Sequence, residues 1–143
     1  MNTKDAESTT PFEEFVIPSD LHRAQEIERA ILREVRGCGF TEDDAFAIKL
    51  ALEEALTNAI KHGNDNDLAK TITVQCAVDE HRAVIIVTDQ GSGFDPQAIP
   101  DPTADENIQR PCGRGIMLMR AYMTEVAYNA AGNQVRMGKV NES

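Results

Sequence analysis

Hydrophobic positions recur at two periods along this chain, and the alternation between the periods lays out its elements. Phe12-Glu13-Glu14-Phe15-Val16-Ile17 predicts a short strand stopped by Pro18. Ser19 or Asp20 can cap the helix that follows. In it, Leu21, Ala24, Ile27, Ile31, Leu32 and Val35 recur at spacings of three and four, and Gly37 marks the end. Thr41, with Asp44 three residues on, opens a second helix from about Asp43 to His62. Ile48, Leu52, Ala55, Leu56 and Ala59 are its apolar stripe, and Gly63 supplies the stop.

Thereafter the period shortens. Thr71–Val78 and Arg82–Thr88 are rich in β-branched residues and are joined by Asp79-Glu80-His81, which predicts a hairpin closed by Asp89. From Phe94 to Pro111 the chain is rich in Pro, Asp, Asn and Gln with little periodicity. That is long for a connection inside a compact domain, and we read residues 94–115 as a lid. A short helix, Ile116–Tyr122, and a closing hairpin of Thr124–Ala130 and Gln134–Val140, turned by Ala131-Gly132-Asn133, complete the pattern. Hairpins imply antiparallel pairing, and the helices must gather on one face. The expected class is α+β: a two-layer α/β sandwich with a mixed, mostly antiparallel sheet. A βαβ nucleotide fold is excluded, and GxxxxGK[ST] is absent.

Length and charge narrow the picture. The 143 residues suit one domain, residues 12–140, behind a polar tail, residues 1–11, expected to be disordered. The formal charge is −10, from Lys+Arg 14 against Asp+Glu 24, and the basic residues are scattered. Neither nucleic acid nor a membrane surface is an expected partner; a basic or neutral protein is easier to accommodate. Cys38, Cys76 and Cys112 form no CxxC pair, so a disulfide framework or a zinc site is not indicated. With no signal peptide and no membrane-length apolar run, a cytoplasmic location is expected.

Three pieces of candidate chemistry occur in order. Glu54 and Asn58 stand one turn apart at the margin of the second helix's apolar stripe, where a cleft between helix and sheet can open. A carboxylate there can orient or deprotonate an attacking hydroxyl, and an amide oxygen is a hard ligand suited to Mg²⁺. Glu53 projects instead with Lys49 and Thr57, as an i,i+4 partner. Asp89 precedes Gly91 and Gly93, so it can accept a hydrogen bond from an adenine amine beside a tight turn. Gly113-Arg114-Gly115 can present backbone N–H groups to phosphates, with Arg114 or Arg110 adding charge. Lys61 and His62 end the second helix within reach of those phosphates. Taken singly, each piece is also an ordinary solvated face, turn or helix start; the order and spacing point to an ATP site.

In that order the pieces resemble the N box, G1 box and G2 box of the GHKL ATPases, the group of gyrase B, the histidine kinases and the anti-sigma serine kinases. The resemblance spans about residues 12–140. The run from Leu50 to Gly63 and the small size are most similar to the RsbW/SpoIIAB-type anti-sigma kinases. The resemblance implies the Bergerat form of the sandwich and an ATP- and Mg²⁺-dependent protein-serine/threonine kinase. In that type the matching Glu54 is the catalytic base and the matching Asn58 the Mg²⁺ ligand. It further implies a STAS-domain anti-anti-sigma protein as phosphoacceptor, a homodimer, and a sigma factor as a second protein that such a kinase can sequester. Two rivals keep the same boxes: a non-catalytic ATP-binding adaptor, and a detached histidine-kinase-like catalytic domain.

Overall fold

The computed structural model describes residues 10–91 and 111–142, with residues 111–116 described by backbone alone. Residues 1–9 of the expected tail, Gly93, and the stretch of the expected lid up to residue 110 lie outside the described residues. Thr10, assigned to that tail, donates a 2.6 Å hydrogen bond from Oγ1 to Asp79.

The elements are β1 (Glu13–Pro18), α1 (Leu21–Gly37), α2 (Glu42–Thr57) continued by a π-helical turn (Asn58–Gly63), β2 (Thr71–Val78), β3 (Arg82–Thr88), α3 (Pro111–Tyr122), β4 (Glu125–Tyr128) and β5 (Gln134–Val140). Asp20 caps α1, its carboxylate accepting from the His22 N–H, and Thr41 Oγ1 caps α2 by accepting from the Asp44 N–H. Both caps are the ones the sequence pointed to.

The strands form one five-stranded sheet in the order β1-β2-β3-β5-β4. Every pairing among them is antiparallel, which corrects the expectation of a mixed sheet. The reason lies in the connections. Two helices separate β1 from β2, so the chain reverses three times and β2 runs opposite to β1; a single helix, with two reversals, would have made the pair parallel.

Ile72, Val74, Cys76, Ile85, Val87, Val135 and Met137 alternate onto one sheet face and are buried against Ile31, Val35, Ile48, Leu52, Leu56, Ile60 and Met119. Each such aliphatic chain contributes about 1.5–3 kcal/mol on burial. This interface fixes where α2 emerges over the sheet, and α3 packs along α2 and its π turn.

Two further boundaries differ from expectation. α3 starts at Pro111, so Gly113, Arg114 and Gly115 lie within its opening turns rather than in a turn ahead of it. Proline is well suited to a first helical position, where its missing N–H costs nothing. β4 stops at Tyr128 because Asn129 takes over the turn: its Oδ1 accepts from the N–H groups of Gly132, Asn133 and Gln134 at 2.8, 3.1 and 3.3 Å.

Candidate functional site

The second helix does not end as a plain α-helix. Its last turn widens, and the Asn64 N–H reaches back five residues to the Ala59 carbonyl at 2.8 Å. Beyond it Asp65 and Asn66 take left-handed backbone angles, φ 54° and 58°, which Asp and Asn tolerate better than most residues. The widening brings Gly63 against the end of β3.

There a cleft of about 590 Å³ opens between the π turn, the end of β3 and the β4–β5 hairpin. Ala55, Asn58, Ala59, His62 and Gly63 line one wall, Val87 and Asp89 the floor, and Tyr128, Gly132, Asn133, Gln134 and Val135 the other wall. Asn58, His62 and Asp89, three residues singled out by sequence, are brought together here.

Asp89 is held from several sides. Its N–H donates to the Asn133 carbonyl at 2.9 Å, and its carboxylate Oδ1 accepts from the Gly91 N–H at 2.8 Å. Burial pushes this carboxyl above the ordinary aspartate range, while the Gly91 N–H and the charge of Lys70 act against that rise. Gly63 faces the carboxylate so closely that a Cβ there would overlap it, and a Cβ on Gly91 would overlap the Gly63 carbonyl. Gly91 therefore demands glycine through close approach to backbone, whereas a Cβ on Gly63 would have to push the Asp89 carboxylate aside.

Asn64 braces this corner. It is fully buried, donates from Nδ2 to Ser19 Oγ at 2.9 Å and the Thr71 carbonyl at 3.0 Å, and accepts at Oδ1 from the Gln90 N–H at 2.8 Å. One side chain thus ties the π turn to the starts of α1 and β2 and to the turn after β3. Gln90 adds a second tie, its Oε1 accepting from the Thr71 N–H at 2.7 Å.

Asn58 sits half-buried on the cleft wall, and its Nδ2 is buried without a hydrogen-bond partner. An orphaned amide in a cleft is costly, by about 1–3 kcal/mol, unless a ligand completes it. Glu54 lies one turn before Asn58 on α2, half-buried, and is not among the residues lining the cleft. Glu53 pairs with Lys49, Nζ to Oε1 at 3.1 Å, as its projection predicted. Gly91 supports the Asp89 corner. Gly93 and the Arg114 side chain lie outside the description, and Gly113 and Gly115 contribute helix backbone.

Sequence reasoning missed three contributors. The sequence marks Gly63 only as a helix stop, gives Asn64 no role, and marks Gly132 and Asn133 only as a turn and Gln134 as the start of a strand. The clustering of Gly63 and Asn64 directly behind the Glu54/Asn58 helix was the available signal for the first two.

The arrangement offers a half-buried acceptor for an amine, an amide awaiting a partner, and a histidine at the rim. Residues 17–139 match the model of the histidine kinase-like ATPase domain. The serine-protein kinase RsbW of Staphylococcus aureus strain JH9 is 29% identical over 141 residues, covering 93% of this chain and 89% of the relative. That of Bacillus velezensis is 34% identical over 110 residues, covering 71% and 68%. The crystal structure of the RsbU and RsbW domains of a Mycobacterium tuberculosis protein superposes with a TM-score of 0.62 at 16% identity, over 92% of this chain and 32% of that one, and shares the fold. The chain belongs to the histidine kinase-like ATPase domain family.

Proposed function

We propose that this protein is an ATP-dependent protein-serine/threonine kinase of the anti-sigma type, which phosphorylates a STAS-domain partner. The observation that carries the reading is the cleft itself: Asp89, half-buried and held by Gly91, lines the same open cleft as Asn58 with its unpartnered amide. Asp89 accepts a hydrogen bond from the adenine amine, and the closeness of Gly63 fixes where that carboxylate stands.

The Asn58 amide fits a magnesium–phosphate group. Its orphaned Nδ2 donates to a phosphate oxygen while Oδ1 offers a hard oxygen ligand. When bound, Mg²⁺ neutralises charge on the phosphates. Glu54, one turn up the same helix, takes the proton of the acceptor hydroxyl, and its position beside rather than inside the cleft suits a group that addresses an incoming protein side chain. His62 at the rim and the free backbone N–H of Gly113 in the first turn of α3 contribute donors for the phosphates, while Gly115 lies further inside the helix; Arg114 adds charge. Transfer of this kind depends mainly on alignment and charge neutralisation.

Homodimerisation, sequestration of a sigma factor and a cytoplasmic location belong to the same proposal, supported by relatives named serine-protein kinase RsbW. The test is incubation of the protein with labelled Mg-ATP and a STAS-domain protein. Label should pass to a serine or threonine of that protein and fall sharply in Glu54→Ala. Nucleotide binding without transfer supports the adaptor instead, and transfer unchanged in Glu54→Ala removes Glu54 as base.

A further inference from the structure

A second hollow, open to solvent, lies on the opposite face of α2 from the nucleotide cleft, between α2 and α1. Leu21, Ala24 and Leu56 form apolar walls, and Glu28 and Glu53 bring two carboxyls into it. Glu28 is only 7% exposed, yet its Oε1 is buried and meets no donor. A carboxylate oxygen shielded from water without a donor is costly in isolation.

The charged groups facing Glu28 are Glu53 and Lys49 from α2 and Arg29 from its own helix. Lys49 is committed to Glu53 at 3.1 Å. Burial and the hydrogen-bonded neighbour Glu53 push the Glu28 carboxyl up to about 7, so Glu28 binds a proton near neutrality. On the α2 side one ammonium is set against two carboxyls, and the other cation, Arg29, lies exposed on α1.

We propose that this hollow is a docking pocket for an arginine side chain of a protein partner. The aliphatic stem lies on Leu21, Ala24 and Leu56, and the guanidinium fork takes the Glu28 and Glu53 carboxylates. The planar fork suits two adjacent carboxylates better than an ammonium does. The net charge of −10 favours approach of a basic segment. Docking displaces the Glu28 proton, so affinity rises with pH. The proposal is independent of nucleotide binding, which uses the other face of the helix.

The test follows backbone amide shifts of Ala24, Gln25 and Thr57 by NMR while N-acetyl-arginine methylamide is added, with the neutral citrulline counterpart as control. Glu28→Gln removes a buried charge and should keep its fold. Gln25→Arg places a competing guanidinium at the mouth of the pocket. The expected result is a saturable shift with a dissociation constant on the order of 1–10 mM, several-fold tighter near pH 8 than near pH 6 as Glu28 ionises. It should be lost in both variants, with thermal unfolding cooperative throughout. An equal response to citrulline, an unchanged response in Glu28→Gln, or no saturation by about 100 mM overturns the proposal.

Discussion

Gly63 at the end of the π turn and Asp89 at the end of β3 stand in direct contact, the glycine Cα turned to the carboxylate with no room for a side chain between them. The contact couples the length of the second helix to the position of the acid on the cleft floor. A helix that ended one residue earlier or kept α-helical pitch would place a different backbone atom there.

Gly63→Ala should therefore act on ligand binding before it acts on the fold, because its nearest neighbour is a side chain that can swing aside. Displacing the Asp89 carboxylate forfeits a hydrogen bond worth about 1.5–3 kcal/mol, or about 10–100-fold in nucleotide affinity. Gly91→Ala meets the Gly63 backbone carbonyl instead and should lower the melting temperature as well. Calorimetric titration and thermal unfolding of the two variants separate these effects.

Glu54 and Glu53 provide an internal control, being adjacent acids with different surroundings. Glu54→Gln should reduce phosphoryl transfer by about 10²–10⁴-fold with nucleotide affinity nearly unchanged. Glu53→Gln, which removes the pair with Lys49 and alters the contact with Glu28 but touches no group lining the cleft, should leave nucleotide affinity within about twofold. Single-turnover transfer rates measured alongside nucleotide dissociation constants check both.

Asn64 makes three side-chain hydrogen bonds from a fully buried position. Asn64→Ala leaves the Thr71 carbonyl and the Gln90 N–H without those partners and should cost about 2–4 kcal/mol, seen as a lower urea midpoint. The π turn should loosen with it, which amide hydrogen exchange at residues 58–66 would register.

The Glu28 carboxyl sets a pH dependence of stability. Its folded value of about 7 lies above the ordinary 4.5 because of burial first and Glu53 second. Stability from the neutral form is complete below 4.5 and is lost as pH rises through about 7. Glu34, pushed to about 7 by its hydrogen bond to Glu13 and by burial, adds a slope of the same sign. The urea midpoint should fall between about pH 5 and 8, by roughly 1–3 kcal/mol in free energy, and the slope should be shallower in Glu28→Gln.

Much of the architecture was legible because local signals agreed with the fold. Asp20 and Thr41 mark helix starts through their own side chains, and the β2–β3 hairpin bounds follow from β-branched runs either side of Asp79-Glu80-His81. Asn58 and His62, which line the cleft one turn apart, were legible as spacing on one helix, whereas Glu54 stands outside the lining. The π turn was not, since its widening depends on the buried Asn64 and on Gly63 meeting Asp89, contacts made across the sheet rather than along the chain. The third wall was missed for the same reason: Asn133 reaches Asp89 only after β5 pairs with β3. The start of α3 was misplaced because glycines discourage a helix locally, whereas packing against α2 sustains one.

The central claim is that adenine nucleotide is gripped in the cleft between the π turn and the end of β3. Isothermal titration of the full chain with Mg-ATP tests it most directly, with Mg-GTP as competitor and Asp89→Asn as the matched variant. The account predicts one saturable binding event per chain, insensitive to GTP and weakened by about tenfold or more in Asp89→Asn. Absence of any binding heat across temperatures, or identical affinity in Asp89→Asn and the parent, would contradict it.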